Sequence, residues 1–321
     1  MDSSRLRRHR PTALTILAVV ALYYATARLG LLQQLVRGQV TPLWPPTGIS
    51  VAALLLFGTR VWPGIALGAL TVNVTIGPTA WSVLAIVVGN TLAPVCSYLL
   101  LNRVRFHNDL DRLQDALALV FLGALGPMLI SATIGSGTLF LSGALPGSDF
   151  WSTWSVWWTG DAMGVLVVTP FLLVVRWARW PPGVGPLAWA EAAALTACTL
   201  AVTYLATNSA SSSLLFLVFP FLIWASFRFE RAGAAPCALA ISTLAILASG
   251  RMTGPFEDHT LLTNMVTLQA FNGTVSLTAL VLTAVVTERN RTHEEIERLC
   301  AQLRTAVTRQ NTSSRQVPPG T

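Results

Sequence analysis

The stretch WSTWSVWWTGDAMGVLVVTPFLLVV, residues 151–175, carries a single ionisable side chain, Asp161, in 25 residues. At about 1.5 Å per residue, a helix of this length exceeds the ~30 Å hydrocarbon layer of a bilayer. Comparable apolar stretches recur on both sides of it. The candidates run at about 12–35, 47–59, 62–76, 80–102, 114–142, 151–175, 187–207, 213–227, 232–249 and 261–287. The chain of 321 residues is 53% hydrophobic and 11% charged, against roughly 25% charged in a soluble domain. Its mean hydropathy is +0.59. These values exclude a disordered tail, a collagen-like fibre and a secreted disulfide scaffold, and they count against a pair of soluble domains. The fold class expected is all-α, a polytopic transmembrane helix bundle.

All 21 basic residues are arginine, and the net charge is +7. With the N-terminus inside, alternate connections place eighteen arginines in the cytoplasm, leave Arg37 and Arg251 outside and put Arg28 within the first span. This is the pattern of the positive-inside rule, and it sets both termini in the cytoplasm. The arginines punctuate apolar runs rather than cluster among aromatics, so the positive charge does not point to nucleic acid. Segments 47–59 and 62–76 are short, and read either as two spans or as a re-entrant hairpin, which gives 8–10 spans. Ala25-Thr26-Ala27 mimics a leader cleavage site, but the apolar run continues through Leu32, which favours an uncleaved helix. Residues 1–11 thus form a basic cytoplasmic N-terminus, 12–287 the membrane domain, 288–310 a cytoplasmic helix and 311–321 a disordered tail. On that helix Ile296, Leu299 and Leu303 follow coiled-coil steps for about two heptads. Cys96, Cys198, Cys237 and Cys300 have no CxxC spacing, and neither a metal, a disulfide framework nor another cofactor is expected.

An ionisable residue inside a bilayer costs about 2.5 to 3.5 kcal/mol on insertion scales and is a functional hypothesis by default. Asp161 lies roughly 15 Å from the outer end of its helix, and Asn90 and Asn272 lie roughly 16 Å from theirs. Three polar side chains on three helices therefore share one depth. Trp151, Trp154, Trp158 and Asp161 follow steps of three, four and three, which suits an aromatic-lined cavity floored by an acid. The alternative is interfacial Trp residues and a structural acid satisfied by Arg28 or an Asn. Trp44-Pro45-Pro46-Thr47-Gly48 reads as a helix start on the outer side, whose unpaired donors face either an anion or nothing but a rigid turn. Gly254-Pro255-Phe256-Glu257-Asp258-His259 groups two acids and a histidine near a turn, with a solvated loop as the plainer reading. Pro94, Pro127, Pro170 and Pro220 imply kinked spans. His293-Glu294 lacks the following proline of a kinase phosphoacceptor, and Gly135-Ser136-Gly137 is close packing rather than a phosphate loop. No nucleophile, base and orienting group assemble, so no enzyme is expected.

Several ordered motifs carry a family resemblance. They are Leu43-Trp44-Pro45-Pro46-Thr47-Gly48-Ile49, Trp62-Pro63-Gly64, Asn73, Gly89-Asn90-Thr91-Leu92, Ser131-Ala132-Thr133-Ile134-Gly135, Trp157-Trp158-Thr159-Gly160-Asp161, Gly164–Pro170, Gly254-Pro255-Phe256 and Leu268-Gln269-Ala270-Phe271. Over about residues 13–290 the chain resembles the first class of MASE domains, membrane-associated sensors of bacterial signalling proteins. The resemblance implies an integral module of the bacterial cytoplasmic membrane that feeds a histidine kinase, a diguanylate cyclase or a phosphodiesterase through a cytoplasmic helix. By position, the family-type motifs fall on Trp44, Pro45, Pro46, Gly48, Asn90, Trp158, Gly160, Asp161 and Pro170. The chain ends about 30 residues after the last span, so the expectation is a stand-alone sensory or regulatory module. Its expected partners are the lipid bilayer, an unknown small ligand and a separate histidine kinase or diguanylate cyclase, with a homodimer left open. The rivals are a transporter or permease component and a signalling-silent remnant of a larger sensor.

Overall fold

The computed structural model describes residues 3–31, 41–177, 186–209, 212–257 and 260–315. The ten apolar stretches each become helix: α1 Ser3–Leu31, α2 Pro45–Phe57, α3 Trp62–Ile76, α4 Ala80–Arg103, α5 Leu113–Leu141, α6 Gly147–Val175, α7 Pro186–Asn208, α8 219–229, α9 231–250 and α10 Leu261–Arg315. No strand occurs among the described residues. Seven of the helices, α1, α4, α5, α6, α7, α9 and α10, are long and apolar enough to cross a membrane. α2, α3 and α8 are shorter, so the bundle is polytopic with seven full-length helices and three short ones. Arg37, Arg179, Asp258 and His259 lie outside the described residues.

Prolines shape the spans locally. In α5 a π-helical turn, Leu119–Leu125, precedes Pro127, and in α6 a second, Gly164–Val168, precedes Pro170. A proline has no N–H to donate, and a wider turn upstream redistributes the freed carbonyls. α8 and α9 form one helical run reversed at Glu230, whose φ of 48° and ψ of −133° leave helical space. The chain folds back there. Phe219 on α8 stacks edge-on against Phe271, while Met252, just past α9, meets Asn264.

α10 runs unbroken from the membrane core to Arg315. The helix runs through residues 311–315, which hold no proline or glycine, and residues 316–321 lie outside the described set. Apolar side chains collect in two main cores. One joins α1, α2 and α3 through Tyr23, Leu54 and Ile65, and the other joins α4–α10 through Leu119, Met163, Leu222 and Ile246. Leucines such as Leu14, Leu84 and Leu92 are exposed on the outer faces, the arrangement of a bundle solvated by lipid.

Candidate functional site

Asp161 is almost completely buried. Its Oδ1 accepts from the Thr47 hydroxyl at 2.5 Å, and its Oδ2 accepts from the Ser131 hydroxyl at 2.5 Å. α2, α5 and α6 are thus tied at one carboxylate. The Trp44 backbone N–H donates to the Gly160 carbonyl at 2.9 Å, and the Thr169 hydroxyl donates to the Gly48 carbonyl at 2.9 Å. The segment 41–44 therefore packs against α6 at Gly160, and α2 begins beside Asp161. Pro46, Thr47 and Gly48 are buried. At this helix start Pro45 and Pro46 have no N–H, and the Trp44 and Thr47 N–H groups bond the Gly160 and Trp44 carbonyls at 2.9 and 3.2 Å, so the α2 N-terminus lies beside the protein's own acid. A helix N-terminus favours negative charge, which stabilises a carboxylate that would otherwise be costly in a bilayer.

Three glycines permit this approach. A Cβ at Gly48 would overlap the Gly164 carbonyl, one at Gly164 the Trp44 carbonyl, and one at Gly160 the Thr41 carbonyl. Backbone lies directly on backbone, as close helix packing in membranes requires. Irregular backbone at this depth is tolerated because protein, not lipid, surrounds it. Pro45 and Pro46 occupy the first turn of α2, where no intrahelical acceptor is lost. Pro170 lies two residues past the π-helical turn and faces α9 and α10 rather than Asp161.

A cavity of about 30 Å³ adjoins the carboxylate, lined among others by Trp44, Asn73, Asn90, Trp157 and Asp161. That is room for roughly one or two waters, not for a metabolite. Tyr23 of α1, fully buried, comes within hydrogen-bonding range of Trp44 and Asn90. Six helices, α1–α6, hence meet around Asp161.

The residues expected to share this site divide. Asn90 lies in it. Trp154 and Trp158 stack on one another at 5.8 Å but turn their indole N–H groups to α5, to the Thr133 hydroxyl at 3.1 Å and the Leu125 carbonyl at 2.9 Å. The Leu125 carbonyl ends the π-helical turn before Pro127, while the carbonyl one turn before the proline, that of Gly123, accepts from the Ser97 hydroxyl of α4 at 2.7 Å. Trp157, not Trp154 or Trp158, walls the cavity. Arg28 is exposed on α1, while both Asp161 oxygens are taken by hydroxyls, which fits an outward-reaching arginine better than a salt bridge. Asn272 is fully buried outside the cavity, with no protein partner for either amide atom. Its neighbour on α10, Gln269, accepts from the Thr159 hydroxyl of α6 at 3.0 Å.

Sequence reasoning missed Thr47, Ser131, Tyr23, Asn73 and Trp157. Thr47, Ser131, Asn73 and Trp157 lie within or at the quoted motifs; Tyr23 carried no local signal. It also missed the latches at the other end of the bundle. There the buried Asp111 pairs with Arg291 of α10. Glu230, at the α8–α9 reversal, accepts from the Asn290 amide at 2.8 Å and from the Thr287 hydroxyl at 3.4 Å. α10 is held by acids from two sides where it leaves the bundle. No group of three or more metal-ligating side chains occurs among the described residues.

Comparison with known proteins agrees with this architecture. A probable diguanylate cyclase, DgcE of Escherichia coli (strain K12), is 28% identical over 208 residues, 60% of this chain. The matched region is 17% of the cyclase, so the chain spans only a small part of that relative's length. No solved structure matches. The MASE1 family model matches residues 14–290, which contain the Asp161 site, both π-helical turns and the emerging part of α10, and the chain belongs to the MASE1 family of multi-pass membrane sensory domains.

Proposed function

We propose that this membrane sensory module transmits its state along α10 to a separate cytoplasmic output partner of the diguanylate cyclase or histidine kinase type. One observation carries the reading. α10 is a single helix from Leu261 to Arg315, anchored in the bundle by Gln269 and gripped at its exit by Glu230 and Asp111. A rigid helix transmits displacement, and the few polar contacts at its exit are the ones such a displacement would have to break. Beyond the bundle, Ile296, Leu299 and Leu303 are exposed, an apolar stripe suited to a partner helix. The cytoplasmic placement of both ends is supported by the arginine distribution.

The Asp161 node supports a sensor better than a transporter. Its carboxylate is doubly bonded and the adjoining cavity is about 30 Å³, too small for substrate passage. The family membership supports the sensory reading in the same way and lends no support to the permease rival.

Gentle crosslinking and affinity purification from the native membrane test the proposal, comparing the full chain with one ending at Arg289. Recovery of a kinase or cyclase with the full chain and its loss with the shorter one is the expected result. Equal recovery from both removes the coupling role of α10. Substrate flux in proteoliposomes that Asp161→Asn abolishes overturns the sensory reading itself.

A further inference from the structure

A second space, wider than the one beside Asp161, lies away from it. Between α7 and α9 runs a groove of about 400 Å³, lined by Ala188, Ala192, Leu195, Gly233, Pro236 and Cys237. Its volume is within the range of ligand sites, roughly 300–1,000 Å³. Along α7 its lining extends from Ala188 to Leu200, which at 1.5 Å per residue is about 18 Å. That is close to the thickness of one leaflet, half of the ~30 Å hydrocarbon layer.

The groove offers an occupant no polar recognition. The hydroxyls of Thr196 and Thr199 are turned back to the Ala192 and Leu195 carbonyls of their own helix at 2.8 Å each. Small residues on facing helices ordinarily let the backbones close. Here Thr199 meets Cys237 at 3.9 Å, and the groove stays open beside that contact, where α9 has left the reversal at Glu230 and carries Pro236.

Polarity appears only at one end. The Arg228 Nε donates to both oxygens of Glu191 at 2.9 and 3.0 Å, the Trp224 indole donates to the same carboxylate at 3.2 Å, and Trp189 lines the groove beside them. Arg228 is 54% exposed. Arginine and tryptophan at the end of an apolar slot are the groups that meet phosphate and the headgroup layer.

We propose that the α7–α9 groove holds one acyl chain of an acidic phospholipid from the leaflet at the Arg228 end, with the lipid phosphate at Arg228. The site is distinct from the Asp161 node and independent of whether α10 engages a partner. Length and apolar walls match an acyl chain, and the half-exposed Arg228 guanidinium, paired through its Nε with Glu191, stands at the mouth, whereas a polar metabolite would find no partner inside.

The test uses the full chain in nanodiscs doped with phosphatidylglycerol that bears a photoreactive group in its acyl chain, followed by peptide mapping. Adducts are expected at residues 188–200 and 229–240, at least tenfold over the exposed face of α4 around Leu84 and Leu92. Ala192→Phe and Ala188→Trp, two independent fillings of the groove, should each lower them about tenfold while the protein remains monodisperse. A phosphatidylcholine probe should label several-fold less, and Arg228→Gln should erase that difference. Labelling equal to that of α4, or unchanged by both fillings, reduces the groove to ordinary boundary lipid and overturns the proposal. Adducts between two copies of the chain at these peptides would do the same, by showing that protein occupies the groove. Equal labelling by the two headgroups overturns the assignment to an acidic lipid.

Discussion

Around Asp161, six helices meet with both carboxylate oxygens bonded and with bare backbone against bare backbone at Gly48, Gly160 and Gly164. Among α7–α10 the packing is different. A 400 Å³ groove separates two helices, the chain reverses at a left-handed glutamate, and Ser242, Ser249, Asn272, Ser276 and Thr283 bury polar atoms without a protein partner. The first half also has such atoms, on Asp115, Ser136 and Thr153, but its central charge at Asp161 is fully satisfied. A well-satisfied polar network rigidifies and specifies one arrangement, whereas unpaired polar groups leave alternatives of similar energy. The α1–α6 half therefore reads as the frame, and the α7–α10 half as the part able to change. The intramembrane acid, the residue that attracts functional suspicion first, belongs to the frame.

The largest expected effect breaks the frame. Gly164→Leu places a side chain where the Trp44 carbonyl lies, and Gly48→Val where the Gly164 carbonyl lies; backbone cannot yield as a flexible side chain can. Each substitution should cost about 4 kcal/mol or more, and abolish monodisperse protein in detergent. Gly137→Ala, with open space around the added carbon, should leave the apparent Tm unchanged. If Gly164→Leu melts like Gly137→Ala, the close crossing of α2 and α6 does not exist.

Asp161→Asn comes next. The amide keeps one acceptor for Thr47 or Ser131 and presents a donor where an acceptor stood, while Ser131 can fall back on the Met128 carbonyl at 3.0 Å. A loss of about 1–3 kcal/mol is expected, visible as a lower apparent Tm, and Thr47→Val combined with Asp161→Asn should be less than additive. Full additivity would mean that the two side chains do not interact.

How much of this was legible in the sequence follows from the same contrast. Helix positions were, because each span is an apolar run bounded by arginine, proline or glycine, and a lone acid within such a run pointed to the buried Asp161. The placement of Trp44–Gly48 against α6 was not, since a helix start next to a polar loop looks superficial until Gly160 and Gly164 are seen to admit it. Nor could three residues at one depth distinguish Asn90, which faces the acid, from Asn272, which faces another interface. Depth fixes one coordinate and leaves the angle around the bundle open. The reversal near Glu230 was legible, because Arg228 and Arg231 separate the apolar runs 213–227 and 232–249, but its confinement to a single non-helical residue was not.

The latches at the exit of α10 sharpen the other side of the comparison. Arg291 is about half exposed, while its partner Asp111 is 5% exposed. Arg291→Gln leaves a nearly buried carboxylate without its cation, and should cost about 1 kcal/mol after allowance for solvent screening. Glu230→Gln should cost less in stability. Both should raise hydrogen exchange between residues 284 and 295 without affecting the α1–α6 half. Exchange that rises equally around Asp161 would show that the halves do not separate.

The smallest effect has the opposite sign. Asn272 is wholly buried, and neither its amide nitrogen nor its amide oxygen meets a protein partner. An unsatisfied buried amide is a cost the fold carries, so a leucine of similar size should be neutral or stabilising by up to about 1 kcal/mol. The same exchange in the frame, Asn73→Leu, removes an amide that donates to the Ala69 carbonyl at 2.8 Å and lines the cavity beside Asp161, and should destabilise. Opposite signs for these two asparagines, measured as apparent Tm in one detergent, would place the strain where the helices are free to rearrange. If Asn272→Leu destabilises as much as Asn73→Leu, then Asn272 finds a partner in the membrane, and the α9–α10 interface is as firmly specified as the node at Asp161.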